Sequence, residues 1–294
     1  MIPSWHTKPR GSTVGYRIFV SVLKNFGVLP AYFLLRIVAF YYFLFSYRSA
    51  KPIFKLFHSK LGYSILKSLL KLYRNYFLFG QSLIDKVVIM SEIPNRFSFE
   101  FDGEDNLRKM VNLQKGGLLL SAHIGNWEIA GHLLKRLQTR INIVMFDGEQ
   151  AQIKEYLAGI TGERNTHIIV IKNDLTHIYE IDEALKKNEF VCMHADRYME
   201  GNKTISTRFL SEQASFPAGP FMLAYRFRVP VSFVFALKEN NFHYHFFASE
   251  IKEFGTGEKE ILIQEMLKDF AGEMEKKLRD YPEQWFNYYD FWRQ

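Results

Sequence analysis

Residues 117–131 read Gly117-Leu-Leu-Leu-Ser-Ala-His-Ile-Gly-Asn-Trp-Glu-Ile-Ala-Gly131. Leu118–Ala122 is a short, continuous run of mostly apolar residues, which predicts a strand buried on both faces. Gly125 permits a turn just beyond His123, and Asn126 is a good N-cap for a helix predicted at Trp127–Leu137. A buried strand, a tight turn and a helix are the repeating unit of an α/β sheet.

The same alternation runs outward from this segment. Further strands are expected at Ile141–Phe146, His167–Ile171, Phe190–His194, Val229–Leu237 and Phe242–Ile251. Helices are expected at Ile153–Gly159, Thr176–Lys187, Pro220–Arg226 and Lys259–Arg279. The predicted fold class is α/β: a mixed, largely parallel central sheet with helices on both faces, preceded by an N-terminal membrane-associated helical region. Three regions follow from the change in pattern: a membrane-anchoring segment at 1–50, an amphipathic helical region at 51–111, and the α/β domain at 112–294.

The N-terminal region is read from Val28–Tyr47, VLPAYFLLRIVAFYYFLFSY. Its length just suffices for a spanning helix, which needs roughly 20 mostly apolar residues. Arg36 is costly at a bilayer centre. A transmembrane anchor, a helix lying in the interface and a buried core helix all fit, and membrane association is the favoured expectation. Lys8, Arg10, Arg17 and Lys24 precede the run, and Arg48, Lys51, Lys55, Lys60, Lys67 and Lys71 follow it, which suits anionic headgroups. The run begins late and has no clear small-residue site after it, so no cleavable signal peptide is expected. From Pro52 to Leu78, apolar residues at helical spacing with lysines between them predict an amphipathic helix pair.

Composition narrows the function classes. The 294 residues are 48% hydrophobic and 23% charged, which excludes a disordered or collagen-like chain. The single cysteine, Cys192, excludes a disulfide framework and a cysteine-built zinc site, and its place in an apolar run reads as core. A net charge of +7 favours an acidic partner: an anionic lipid surface, an acidic carrier protein or nucleic acid. The basic residues are dispersed and no nucleic-acid motif is present, so no nucleic-acid partner is expected. No Walker A, G-x-G-x-x-G, G-x-S-x-G or H-E-x-x-H sequence occurs, which disfavours kinase, dehydrogenase, serine hydrolase and zincin chemistry.

His123 falls at the end of a predicted strand, where open α/β sheets bind ligands. Glu128 follows five residues later. On one continuous helix that spacing separates the side chains by about 140°, but a turn at Ile124-Gly125 can fold the imidazole back toward the carboxylate. Glu128 would then hold one ring nitrogen while the other takes a proton. The competing reading is a hydrogen-bonded histidine and a capping glutamate.

His123-x4-Glu128 in the context HIGNWE resembles the H-x4-(D/E) motif of the glycerolipid acyltransferase superfamily. More closely, the chain resembles the bacterial lipid A biosynthesis acyltransferases, of the lysophospholipid acyltransferase class. The stretch Ala195-Asp196-Arg197…Phe209-Leu210…Ala214…Phe216-Pro217-Ala218-Gly219-Pro220…Leu223-Ala224 is similar to that family's next blocks. Val229-Pro230-Val231 and Pro282-Glu283-Gln284-Trp285 resemble the later ones, so the resemblance spans about Gly11 to Trp292.

The resemblance implies an O-acyltransferase that moves a fatty acyl chain from acyl carrier protein to a hydroxyl of a lipid A precursor. It implies work at the cytoplasmic face of the bacterial inner membrane, in contact with membrane lipids. His123 would be general base and Glu128 its orienting partner, with Asn126, Asp196, Arg197 and Gly219 on the substrate side. A thioester is already activated, so no metal or other cofactor is expected. Asn126 is a candidate oxyanion donor as well as an N-cap.

Two departures bear on the acceptor. The ending Phe286–Arg293 is aromatic where the family's is basic. Phe216–Pro220 also lacks the charged pair of the glycerophospholipid enzymes' Glu-Gly-Thr-Arg block. A lysophospholipid, an aminolipid or an aryl polyene lipid is thus the alternative acceptor, and a non-catalytic membrane scaffold is the alternative of a different class. Arg197 is placed either to bind a phosphate or to pair with Asp196 or Glu200. His194 lies at the same edge. Lys203 and Arg208 flank a polar loop at Gly201–Thr207. His243 and His245 share a strand face without making a metal site.

Overall fold

The structure is a computed structural model that describes residues 13–90, 94–129, 137, 139–146, 166–172, 174–199 and 201–292. Most of the helix expected at Trp127–Leu137, all of that expected at Ile153–Gly159, and Glu200 lie outside the described residues.

Helices α1 (Thr13–Phe26), α2 (Val28–Phe45) and α3 (Tyr47–Lys55), a π-helical turn (Leu56–Lys60) and α4 (Ile65–Met90) precede the sheet. Then come β1 (Ser98–Asp102), α5 (Glu104–Asn112), β2 (Gly117–Ser121), β3 (Ile141–Phe146), β4 (Thr166–Ile171), α6 (Thr176–Lys186) and β5 (Phe190–His194). The chain continues through β6 (Thr204–Phe209), β7 (Glu212–Pro217), α7 (Ala218–Phe227), β8 (Val231–Asn240), β9 (His243–Ala248), α8 (Lys259–Asp280) and a 3₁₀ turn at Pro282–Gln284.

The main sheet has the order β1-β9-β8-β2-β5-β3-β4, and its pairs are parallel except β8–β9. It is the mixed, largely parallel α/β sheet that the apolar runs predict. Leu118, Leu119 and Leu120 are all fully buried. The two-residue alternation of a strand sends Leu118 and Leu120 to one face and Leu119 to the other. Leu118 and Leu120 join Phe233, Phe221 and Phe270 in the core under α7 and α8, whereas Leu119 joins Leu107 and Met110 of α5.

Several elements correct the sequence reading. Ser98–Asp102 is an edge strand within the region read as amphipathic helix, and its Phe-Glu-Phe alternation points Phe99 and Phe101 toward Phe246. The supposed loop at 201–207 forms, from Thr204, the first strand of an antiparallel β6–β7 hairpin. Its Phe209 and Phe216 are fully buried, so the hairpin is a core element. The final strand pair is shifted: β8 starts at Val231 and runs on to Asn240, and β9 is shorter, His243–Ala248.

At the N-terminus, α2 buries Val28, Ala31, Tyr32, Leu35 and Ala39, one stripe at helical spacing. Gly80 lets α2 approach α4, since a Cβ there would overlap the Leu35 side chain. The opposite stripe, Phe33, Ile37, Phe40 and Leu44, is exposed by half or more. Among the described helices, α2 is the one long and apolar enough to cross a membrane. The aromatic C-terminal residues fold inward: Phe291 packs on Phe216 and Trp285, with ring centres 5.2 Å and 5.1 Å away. In this chain the unusual ending fills a core.

Candidate active site

Strands β2, β3, β4 and β5 run parallel, so Ser121, Phe146, Ile171 and His194 end at one sheet edge, with Ser121 opposite His194. His123 lies just past that edge. The chain then turns through Gly125, whose φ of 74° is open to glycine and strained for other residues. A Cβ at Gly125 would fall 2.0 Å from the Ala236 carbonyl oxygen.

This turn is held from three sides. Phe286 N–H donates to the His123 carbonyl (2.9 Å), Gly125 N–H to Gln284 O (2.8 Å) and Asn126 N–H to Ala236 O (2.7 Å). The Pro282–Trp285 stretch thus works as a splint for the His123 turn. Its Gln284 side chain is fixed to β8 by two bonds with the Lys238 backbone. Asn75 on α4 donates to the carbonyls of Glu283 and Trp285.

His123 Nδ1 lies 2.7 Å from Asp196 Oδ1, and the His123 backbone N–H donates to Asp196 Oδ2 at 3.0 Å. Asp196 is fully buried, and Trp285 Nε1 donates to its Oδ2 at 3.1 Å. Burial alone would raise this carboxyl. The His123 charge and hydrogen bond, helped by Arg197, outweigh burial and hold Asp196 well below the usual carboxylate range. With Nδ1 held by a carboxylate, Nε2 is the nitrogen left for proton transfer.

The partner expected from spacing is therefore replaced. Glu128 forms an ion pair with Lys86 of α4. His123 takes its carboxylate from a residue 73 positions away, because β2 and β5 are neighbours in the sheet. Asp196, expected on the substrate side, is sealed beneath the imidazole.

Asn126 also departs from expectation. It is 5% exposed, and its amide donates to the Ser82 carbonyl (3.0 Å) and the Tyr244 hydroxyl (3.4 Å), which commits it to holding the turn. Arg197 donates through Nη2 to the Phe286 carbonyl at 2.5 Å and lines the cavity beside His123; its Nε has no hydrogen-bond partner. Gly219 lines the same cavity at the start of α7.

That cavity measures about 1230 Å³. His123, Trp127 and His194 form part of its wall, and Val144, Ile171, Met193 and Leu223 make it largely apolar. Lys172, Lys203, Arg226, Arg228 and Lys259 add positive charge, against Asp182 as the acid among the described lining residues. Such a space suits an amphiphile with an apolar chain and an anionic group.

His194 stacks on His123 with ring centres 4.1 Å apart and meets Trp127 edge-on at 4.6 Å. Burial, then the neighbouring His123, pushes its pKa well below the usual value, so it stays neutral. His123, His194 and Asp196 bring possible metal-ligating atoms within 4.8 Å of one another, but both Asp196 oxygens are already engaged. Glu100, Asp102 and His245 form a second such group, at the β1–β9 edge of the sheet. Burial pushes the Cys192 thiol up to about 12, so it remains protonated and is no nucleophile.

A family model described as bacterial lipid A biosynthesis acyltransferase matches residues 76–294, which contain every residue of the turn, the cavity and the splint. The chain belongs to the bacterial lipid A biosynthesis acyltransferase family. It is accordingly an acyl-transferring enzyme. No curated protein matches this acyltransferase. Among solved structures it is similar to the 1-acyl-sn-glycerophosphate (LPA) acyltransferase PlsC from Thermotoga maritima. That likeness has 16% identity and a TM-score of 0.37, over 82% of this chain and 95% of that one.

Sequence reasoning missed the acyltransferase's Lys86 and the part played by Asp196 and Trp285. Lys86 carried no local signal, being one cation on a lysine-rich helix. Asp196 stood next to Arg197 in a block already marked by resemblance, so the residue was visible but its partner was not.

Proposed function

We propose that this acyltransferase transfers a fatty acyl chain from an acyl-carrier thioester to a hydroxyl of a lipid A precursor or related lipid, with His123 as general base and Asp196 as its orienting partner. The neutral imidazole takes the acceptor hydroxyl proton at Nε2 as the oxygen attacks the thioester carbonyl carbon. The tetrahedral oxyanion collapses, the C–S bond breaks, and the departing thiolate recovers that proton from the imidazolium. An ester and a free carrier thiol are the products. Asp196 fixes the ring's tautomer and stabilises the imidazolium.

The observation that carries this reading is His123, held by the buried Asp196, on the wall of an apolar cavity with a basic lining. The cations suit the phosphates of an acyl-carrier arm or of a phosphorylated lipid. The exposed apolar stripe of α2 supports contact with a lipid surface; the reading sets that contact at the inner membrane's cytoplasmic face, where acyl carrier protein is at hand.

His123→Ala should abolish acyl transfer while the circular dichroism spectrum and vesicle binding stay unchanged; melting temperature should fall, because the buried Asp196 loses its partner. Mass spectrometry of total lipids, with the gene deleted and complemented by wild type or by H123A, would reveal both the acceptor and the added acyl mass. Full transfer by H123A would sink the assignment.

A further inference from the structure

Consecutive residues of α4 make ion pairs of opposite polarity with the α/β domain. Asp85, fully buried, pairs with Lys238 of β8 and accepts hydrogen bonds from the Tyr32 and Tyr244 hydroxyls. Lys86, 7% exposed, pairs with Glu128. One turn earlier, the Ser82 carbonyl accepts the Asn126 amide. Thus α4 grips the domain through β8 and through two residues of the segment that begins at His123.

Neighbouring residues on a helix point about 100° apart. Asp85 therefore meets Lys238, and Lys86 meets Glu128, in only one rotation and one axial placement of α4. A rotation that brought Asp85 toward Glu128 would oppose like charges. Asp85–Lys238 is removed from water and Lys86–Glu128 largely so: the side chains of Lys238, Asp85, Lys86 and Glu128 are 4%, 0%, 9% and 22% exposed. Removing one member would leave its partner as an uncompensated charge, which is strongly destabilising. Asp196 already supplies His123 with its carboxylate, so the imidazole has no need of Glu128 for that purpose.

Resting on the reading of His123 as base, we propose that Glu128 serves the reaction by docking the His123 turn onto α4 through Lys86. Asp85–Lys238 is the second anchor, and Asp85 and Lys86 are positioning residues. The position needs an ion pair of either polarity; it does not need a carboxylate at 128.

Charge exchange tests this in the full-length protein in detergent or lipid, with an acyl-carrier thioester as donor. K86E and E128K should each lose about tenfold or more in kcat with KM little changed, as misplacement of a reacting group does. The K86E/E128K double variant should recover most of that loss, with melting temperature as the control for folding. A folded double variant as inactive as E128K would overturn the proposal, because the carboxylate itself would then be needed. K86E with wild-type kcat would overturn it equally.

Should the reversed charges prevent folding, K86Q, E128Q and their double provide the second measurement. A double variant no worse than the poorer single supports the clamp, and losses that multiply refute it. H123A in the same assay separates the two ideas. Turnover retained by H123A removes the underlying reading, whereas an inactive H123A beside a failed exchange removes the clamp alone.

Discussion

At the scale of single residues, Asp196 is the group on which His123 depends. Asp196→Asn keeps the shape but can leave the wrong ring nitrogen protonated. It should cost about 100-fold or more in kcat with little change in KM, measured in the thioester assay. The same substitution has a signature in stability. Since Asp196 is held below its unfolded value, its contribution is complete above the ordinary carboxylate pKa of about 3.9 and is lost as pH falls through the depressed folded value. Urea unfolding should therefore show wild type losing stability more steeply than D196N as pH drops below about 4. Equal slopes would mean that the carboxylate is not held in that way.

At the scale of elements, the turn after β2 is the least replaceable piece. Gly125→Ala puts a methyl carbon into the Ala236 carbonyl and asks alanine to hold φ at 74°. Backbone on both sides must shift, so G125A should destabilise the protein by more than about 1 kcal/mol and move His123 off Asp196. Thermal denaturation and activity should fall together. A fully active, equally stable G125A would contradict the turn described above. Much of this element was readable from sequence: a continuous apolar strand followed by a glycine says where the strand ends and the chain turns. The β6–β7 hairpin was not readable, because Gly201–Thr207 is polar and its core role comes from Phe209 and Phe216 meeting α8 and the C-terminal rings.

At the scale of the whole molecule, the helical arm and the α/β domain meet around the His123 turn. Membrane contact, if made through the open face of α2, should depend on Phe33, Ile37, Phe40 and Leu44 and not on the stripe that packs inward. Replacing these four by Ser should lower sedimentation with anionic phospholipid vesicles by about tenfold or more, since each exposed apolar side chain adds roughly 1.5–3 kcal/mol when buried. Melting temperature in detergent should hardly change. Undiminished vesicle binding would place the lipid-contacting surface elsewhere.

The amino-acid sequence by itself determined what short-range physics can encode: buried strands as apolar runs, the turn at Gly125, the apolar N-terminal helix and the motif order that marks the family. It also placed His123 at a sheet edge. Only the tertiary structure decided which carboxylate His123 would meet. Glu128 is five positions away along the chain, but the turn sends it to Lys86. Asp196 is 73 positions away, yet the parallel pairing of β2 with β5 brings it under the imidazole. Hydrogen bonds act over about 3 Å of space, and strand order sets that distance where residue spacing does not.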